Sequence, residues 1–250
     1  MSKNRYFIQL AYDGSLYHGW QTQPNAIAVQ ELLDKAMSVV FRQPIETLGC
    51  GRTDAGVHAA DFFAHFDIEN LAETNVISSI ASINALLPYQ IAAKQIIPVH
   101  NDAHARFDAT SRAYKYHIHF VKNPFKYNRS WLLKDRLDIT LMNIAAAELL
   151  NYTDFSCFSK SNTQTFTNNC KIVKAVFEEE DNGLVFTIKA DRFLRNMVRA
   201  IMGTLIQIGK GELNLEEFKA IIESKNRSKA GQSVPACGLY LVKVEYNYIK

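Results

Sequence analysis

The feature that most constrains the fold is the order of strand-like and helix-like segments in the first hundred residues. Strands are indicated by alternation of apolar and polar residues, and helices by apolar residues at helical spacing. Turn residues and prolines mark where these segments end. The predicted elements are a strand at 5–12, a helix at 29–41, strands at 45–50 and 62–68, a helix at 74–87 and a strand at 91–99. This β-α-β-β-α-β order is typical of the ferredoxin-like arrangement, in which helices cover one face of an antiparallel sheet.

The second part of the chain predicts a comparable set of elements. They are a strand at 113–121, a helix at 141–150, a hairpin formed by 170–178 and 184–190, helices at 193–208 and 215–224, and a strand at 239–246. We therefore expect an α/β protein of the α+β type, with two ferredoxin-like or RRM-like halves whose mainly antiparallel sheets are flanked by helices. The predicted halves are 1–105 and 106–250, and a cleft between such halves is the natural place for a ligand.

Composition excludes several classes of protein. The chain is 48% hydrophobic with a net charge of only +3, which is ordinary for a globular protein. Its longest apolar run is too short to span a bilayer, and its first residues lack the apolar core of a signal peptide, so we expect a cytoplasmic protein. The four cysteines stand at long separations, which predicts reduced thiols and no metal site.

Charge is distributed unevenly along the chain. Between Ala103 and Arg136 there are eight basic residues and two acidic ones, interleaved with aromatic residues. Nucleic-acid grooves use this combination, because cations bind phosphates and aromatic rings stack on unpaired bases. Solvated strand faces have a similar composition, so the pattern alone leaves both interpretations open.

A glycine-rich loop carries the strongest chemical signal. In the segment 49–59, three glycines surround Arg52, Thr53 and Asp54 without a bulky side chain between them. Such a loop can present a carboxylate for chemistry, and a guanidinium two residues away favours the ionised form of that carboxylate. The alternative is a structural turn closed by a salt bridge, and the loop by itself does not separate the two.

A second basic feature lies on the helix predicted at 193–208. Arg192, Arg195 and Arg199 have the spacing i, i+3, i+7 and would share one face, opposite a face of apolar residues. Three guanidiniums on one face favour contact with an anion.

Five ordered motifs together resemble one protein family, the TruA family of tRNA pseudouridine synthases. The resemblance covers nearly the whole chain, and the five motifs in one order are far more specific than any one of them. The motifs are Tyr12-Asp13-Gly14 with Gly19-Trp20-Gln21-x-Gln23, Gly51-Arg52-Thr53-Asp54-Ala55-Gly56-Val57-His58-Ala59, His104-Ala105-Arg106-Phe107 with Arg112-x-Tyr114-x-Tyr116, Phe193-Leu194-x-x-Met197-Val198-Arg199, and Pro235-Ala236-x-Gly238-Leu239-x-Leu241.

The resemblance implies isomerisation of uridine to pseudouridine at positions 38 to 40 of tRNA, with Asp54 as the catalytic aspartate. The N-glycosidic bond breaks, the uracil turns, and a carbon–carbon bond forms to the same sugar. No redox step or external group takes part, so no cofactor is implied. Asp54 could attack the nucleotide, or stabilise and deprotonate its sugar, and the sequence does not choose between these roles.

Other residues receive substrate-binding roles from the same resemblance. Arg52 would support Asp54 and occupy the place of the flipped base, and Tyr114 would stack on the uracil. Arg199 would contact Asp54 or a phosphate, and Leu239 would line the base pocket or simply pack in a strand. His58 could contact substrate or order the loop through a backbone hydrogen bond.

The resemblance also implies a tRNA partner and a homodimer. Two departures from the family pattern, Asp61-Phe62 and Arg195-Asn196, leave details of RNA contact and sheet packing open. The alternatives are a non-catalytic RNA-binding module, which would need Asp54 only for folding, and a metal-dependent hydrolase. The second would require clustered acids or histidines that the sequence does not supply.

Overall fold

The computed structural model describes residues 3–160 and 166–249. This part of the chain is a mixed α/β structure with nine strands and six α-helices. It divides into two compact units: residues up to Thr110 together with those from Tyr240 onward form one, and Ser111–Leu239 form the other. The predicted boundary at residue 105, the two ferredoxin-like halves and the cleft between them stay predictions.

The first unit contains the predicted β-α-β-β-α-β order followed by the last strand of the chain. Its elements are β1 (Lys3–Tyr12), α1 (Val29–Phe41), β2 (Leu48–Gly49), β3 (His58–Glu69), α2 (Glu73–Ser78), α3 (Ile80–Leu86), β4 (Ile91–Pro98) and β9 (Leu239–Tyr246, whose first residue belongs to the second unit). The single helix predicted at 74–87 is two helices that meet at Ser79. There the Ser79 amide and hydroxyl both donate to the carbonyl oxygen of Val76, which interrupts the helical hydrogen-bond pattern.

Strand β3 is the centre of the first unit's sheet. It pairs with β1 along one edge, and β1 pairs in turn with β4, both in antiparallel register. Its other edge is shared: β2 pairs with it in antiparallel register at His65, and β9 in parallel register at His58. The sheet therefore fixes the first residue of β3, where the glycine-rich loop ends.

Asp61, one of the two departures from the family pattern, has a structural role in this sheet. Its carboxylate accepts a hydrogen bond from the Gln9 side chain at 2.6 Å and another from the backbone N–H of Val244 at 3.1 Å. Because Gln9 is on β1 and Val244 on β9, one carboxylate links both strands that flank β3.

The second unit contains a three-stranded antiparallel sheet with helices. Its elements are β5 (Ala109–His119, whose first two residues belong to the first unit), β6 (Trp131–Leu132), α4 (Ile139–Glu148), β7 (Ile172–Glu180), β8 (Gly183–Ala190), α5 (Met197–Gly209) and α6 (Leu215–Glu223). The strand order is β5-β8-β7, and β6 adds a short parallel pair to β5. Asn143 of α4 bonds both the N–H and the carbonyl of Phe177 on β7, which attaches helix to sheet.

The predicted arginine face is wrong. Helix α5 begins at Met197 and not at Phe193, because Asn196 is in the left-handed conformation with φ 64° and cannot continue a right-handed helix from the residues before it. Asp191 accepts a hydrogen bond from the N–H of Arg192 in a turn. Of the three arginines, therefore, only Arg199 lies on α5. Asn196, the second departure from the family pattern, is the residue that sets this helix start.

No helix in residues 3–160 and 166–249 is long and apolar enough to cross a bilayer.

The packing of α1 generates a pH-dependent stability prediction. Asp34 of α1 accepts hydrogen bonds from the N–H and the hydroxyl of Thr47 at 3.1 and 2.6 Å, and burial raises the pKa of its carboxyl to about 6. A raised carboxyl pKa means that the ionised form is less stable in the folded than in the unfolded chain. This cost is absent at low pH, grows as pH rises from about 4 to 6, and is complete above that range.

We expect Asp34→Asn to stabilise the protein at pH 8 by about 1 kcal/mol, or roughly 2–4 °C in Tm, because the amide oxygen still accepts from Thr47 and no charge is buried. At pH 4 the variant should show no gain. Thermal unfolding at the two pH values measures the difference, and an equal gain at both would contradict the assigned cause.

Candidate functional site

The start of the glycine-rich loop is anchored through Thr53. The Thr53 carbonyl oxygen accepts a hydrogen bond from the N–H of Trp20 at 3.3 Å, and its hydroxyl is 2.9 Å from the hydroxyl of Tyr12. The side chain is buried, with 9% of its surface exposed. The residue before Asp54 is thus held by both its backbone and its side chain.

The end of the loop is anchored just as closely. The N–H of Val57 donates to the carbonyl oxygen of Asp54 at 3.1 Å, and the N–H of Gly56 donates to that of Tyr17 at 3.2 Å. Gly56 has φ 77°, in the left-handed region that a glycine adopts without strain. Asp54 is therefore the first residue of a tight turn with fixed ends.

Two glycines outside the loop allow the chain to pack against it. A Cβ on Gly19, which has φ 91°, would lie 2.3 Å from the carbonyl oxygen of Thr53, and a Cβ on Gly14 would lie 2.0 Å from that of Val57. Both distances are far inside van der Waals contact. The motif segments around Gly14 and Gly19 therefore form the support on which both ends of the loop rest.

An aromatic cluster lies beneath this support. Trp20 stacks on Phe62 with ring centroids 4.2 Å apart, and Tyr12 lies against both rings. A Cβ on Gly49 would come within 2.6 Å of the Trp20 indole nitrogen, so strand β2 approaches the indole as only a glycine can. The cluster is buried, so the Tyr12 hydroxyl that meets Thr53 comes from a rigid base.

His58 orders the segment after the loop. Its ring is 1% exposed and stacks on Tyr240 of β9 at 4.4 Å. Its Nδ1 accepts a hydrogen bond from the N–H of Gly14 at 3.1 Å and lies 3.2 Å from the carboxylate of Asp13. Of the two roles that the sequence left open for His58, this geometry supports the ordering of the loop through a backbone hydrogen bond.

The two charged side chains of the loop differ in exposure. Asp54 is half-buried, whereas Arg52 is exposed. Within residues 3–160 and 166–249, Arg52 forms no ion pair with Asp54. The contacts of Thr53, Gly56 and Val57 hold the backbone of the loop.

In the second unit, Arg199 holds the segment that leads to Leu239. Its Nε donates to the carbonyl oxygen of Val234 at 2.8 Å, and the N–H of Val234 donates back to the carbonyl oxygen of Arg199 at 3.2 Å. The segment 234–238 is therefore tied to the first turn of α5. Leu239, which follows it, is 6% exposed and begins β9.

Tyr116 supports the same segment from β5. Its hydroxyl donates to the carbonyl oxygen of Pro235 at 2.8 Å, and a Cβ on Gly238 would lie 2.7 Å from its ring. Burial raises the pKa of Tyr116 far above its usual value, against the opposing effect of the Arg199 charge, so this hydroxyl is a permanent donor. Tyr114, two residues earlier on the same strand face, is half-buried and meets Phe193 edge to face at 5.1 Å.

The site residues predicted from sequence thus fall into two groups. Arg52 and Asp54 share one loop of the first unit, while Tyr114, Arg199 and Leu239 belong to the second unit. Sequence reasoning missed the supporting residues, chiefly Thr53, Tyr116 and the carbonyl of Val234. Tyr116 stands in a motif that the sequence revealed, but no pattern distinguishes a buried donor from the half-exposed tyrosine two residues before it.

Comparison with known proteins identifies the class. Residues 145–247 match a family model described as tRNA pseudouridine synthase. The chain is similar to the tRNA pseudouridine synthase A of Bacteroides fragilis, with 52% identity over 98% of both chains. It is also similar to that of Aliivibrio salmonicida, with 38% identity over 97% of this chain and 92% of the other, and to that of Acetivibrio thermocellus, with 38% identity over 95% and 97%.

The protein is therefore a tRNA-modifying enzyme of the pseudouridine synthase class, an intramolecular isomerase. Within that class the chain belongs to the TruA family, whose members are the tRNA pseudouridine synthases A. The predictions of the family and of an enzyme are confirmed, and the interpretation as a non-catalytic RNA-binding module is excluded.

The packing of Gly19 generates a prediction about the loop. We expect Gly19→Ala to lower kcat/KM at least tenfold, because the added methyl group cannot share space with the Thr53 carbonyl and must displace the residue before Asp54. Steady-state kinetics on unmodified tRNA measures the loss.

Gly211→Ala is the matched control. Gly211 also has a positive φ, 73°, but a Cβ there would meet no atom within 4 Å. The control introduces the same kind of backbone strain, about 1 kcal/mol, without touching the loop. Equal losses of activity in both variants would show that general strain, and not displacement of the loop, is responsible.

Proposed function

We propose that this enzyme isomerises uridine to pseudouridine at positions 38, 39 and 40 in the anticodon stem and loop of tRNA, with Asp54 as the catalytic residue. The observation that carries the proposal is the contrast within one loop. The Thr53 side chain and the backbone of Asp54 are fixed, while the Asp54 side chain is only half-buried and Arg52 is exposed. A reacting carboxylate needs this combination of fixed position and access to substrate.

The chemistry requires little beyond that carboxylate. Cleavage of the N-glycosidic bond is balanced by formation of a carbon–carbon bond to the same sugar. C5 of the uracil loses its proton to solvent and N1 takes one up, so the product is an isomer of the substrate. Attack on the nucleotide and deprotonation of its sugar both require an ionised carboxylate at a fixed distance. No cofactor takes part in this scheme.

Four further residues bind the substrate in this proposal. Arg52 contacts the RNA from its exposed position, where a guanidinium can fill the space left by a flipped base or bind a phosphate. Tyr114 stacks on the uracil, Arg199 binds a phosphate or the carboxylate, and Leu239 lines the base pocket. The half-exposed ring of Tyr114 and the contacts that orient Arg199 support these roles.

We also propose that the enzyme acts in the cytoplasm as a homodimer that binds one tRNA across both subunits, since a single subunit of this size covers little of an L-shaped RNA. Sedimentation equilibrium gives the mass of the free protein and of the complex. A monomer in both states would contradict the dimer.

The central prediction concerns Asp54. We expect Asp54→Asn to bind unmodified tRNA with a Kd within about threefold of native, because the side chain keeps its size, and to lose at least a thousandfold in turnover. Release of tritium from uracil C5 of labelled tRNA follows the reaction directly. Normal tritium release by Asp54→Asn would refute the catalytic assignment.

Asp102→Asn is the matched control, since it removes the same charge from an exposed side chain of the same unit. It should keep native turnover. To test the positions, tRNAs with a single uridine at 38, 39 or 40 are compared with a tRNA whose only anticodon-arm uridine lies elsewhere. Modification of the last at the same rate would contradict the proposed position specificity.

The two tyrosines of β5 allow a paired test. We expect Tyr114→Phe to lower kcat at least tenfold if its hydroxyl takes part in moving the C5 proton, with unchanged Tm, because the side chain is half-exposed. Tyr116→Phe leaves the Pro235 carbonyl without its donor and should lower the free energy of unfolding by about 1–3 kcal/mol. A stability loss confined to Tyr114→Phe would reverse the two assignments.

A further inference from the structure

The loop after β5 has no role in the site described above, yet side-chain hydrogen bonds hold it against the second unit. This basic aromatic loop, residues 121–130, has the sequence Val-Lys-Asn-Pro-Phe-Lys-Tyr-Asn-Arg-Ser. The Asn123 side chain accepts from the N–H of Phe125 at 2.9 Å and begins a single turn of 3-10 helix. Asn128, in the left-handed conformation with φ 55°, then reverses the chain.

The middle and the end of the loop are attached to the body of the second unit. The Lys126 ammonium group donates to the carbonyl oxygen of Asp181 in the β7–β8 turn at 3.3 Å. The hydroxyl of Ser130 pairs with Nδ1 of buried His119 at 3.0 Å, and the thiol of Cys237 contacts the Ser130 carbonyl oxygen at 3.8 Å. The backbone of the loop is therefore fixed by polar contacts.

The large apolar side chains of this loop are not part of its anchoring. Phe125 is 85% exposed and Tyr127 is 76% exposed. Rings in water contribute almost nothing to folding, whereas burial of either one would stabilise the protein. The fold thus positions two rings on a rigid base without using them, which is the arrangement of a binding surface.

The charge of the loop indicates which kind of partner it binds. Lys122, Lys126 and Arg129 are its three cations, and residues 121–130 include no acid. A second copy of the same loop would bring six like charges together, whereas a polyanion neutralises them. Fixed aromatic rings between cations are the combination that binds unpaired nucleotides, with bases on rings and phosphates on cations.

We propose that Phe125 and Tyr127 stack on unpaired bases of the tRNA, while Lys122 and its neighbouring cations bind the adjacent phosphates. This inference rests on the proposed function for its substrate but concerns a different part of the chain. The loop contributes affinity and no chemistry, so its removal affects KM and Kd and leaves kcat unchanged.

The test is the double variant Phe125→Ala with Tyr127→Ala. Both side chains are exposed, so the variant should fold with native Tm. Loss of stacking is expected to raise the Kd for unmodified tRNA at least tenfold and KM equally, with kcat at saturating tRNA within twofold of native. Tyr127→Trp keeps a stacking ring and should bind within twofold of native, with quenching of the new indole fluorescence by tRNA.

Tyr89→Ala is the matched control. Tyr89 is 100% exposed, in the first unit, and its immediate neighbours Pro88 and Gln90 carry no charge. It should leave Kd and KM unchanged. Lys122→Gln should reduce the slope of log Kd against log salt by about one, the amount expected for one phosphate contact.

Two results would overturn the proposal. One is an unchanged Kd in the double variant. The other is a lower mass of the free double variant than of the free native protein at sedimentation equilibrium. That result would show that the loop is a contact between copies of the chain. The proposed function is tested separately. If the native enzyme released no tritium but the double variant had a raised Kd, the proposed reaction would be refuted and the proposed RNA-binding role of the loop would be supported.

Discussion

The site of the first unit depends on the close contact between two glycines and two carbonyl groups. Gly14 and Gly19 lie so near the carbonyls of Val57 and Thr53 that no side chain fits between them. The contact brings Tyr12 and Trp20 to the loop, and their hydrogen bonds then fix Thr53. Asp54 stands between the two contacts, so backbone packing fixes the position of its main chain.

In the second unit, hydrogen bonds hold the predicted site residues in place. Reciprocal backbone and side-chain hydrogen bonds join Arg199 to Val234, and the buried Tyr116 hydroxyl binds the next carbonyl. Burial of that phenol raises its pKa, which keeps the proton needed for the hydrogen bond. A positive charge and a permanent donor thus orient a segment whose only regular element is the single 3-10 turn Ala236–Gly238.

Some elements could be read from the sequence and others could not. Helix α1 and strand β9 have the predicted bounds, since apolar periodicity and neighbouring turn residues agree there. The predicted start of α5 at Phe193 is wrong. The helical spacing of apolar residues includes Phe193 and Leu194, but Asn196 adopts a left-handed conformation and the helix begins only after it. Periodicity reports which residues are buried, and residues next to a helix can be buried without belonging to it.

Residue identities in a fixed order were enough to predict the family, the class of reaction and the loop that contains Asp54. The tertiary structure decided what holds that loop in place. For the loop, the supporting atoms are the carbonyl oxygens of Thr53 and Val57, whereas the carbonyl oxygen of Val234 and the phenol hydroxyl of Tyr116 hold the segment 234–238 of the second unit. All four contact residues distant in the chain. Every residue has a carbonyl, so no sequence pattern marks the few whose packing fixes a site.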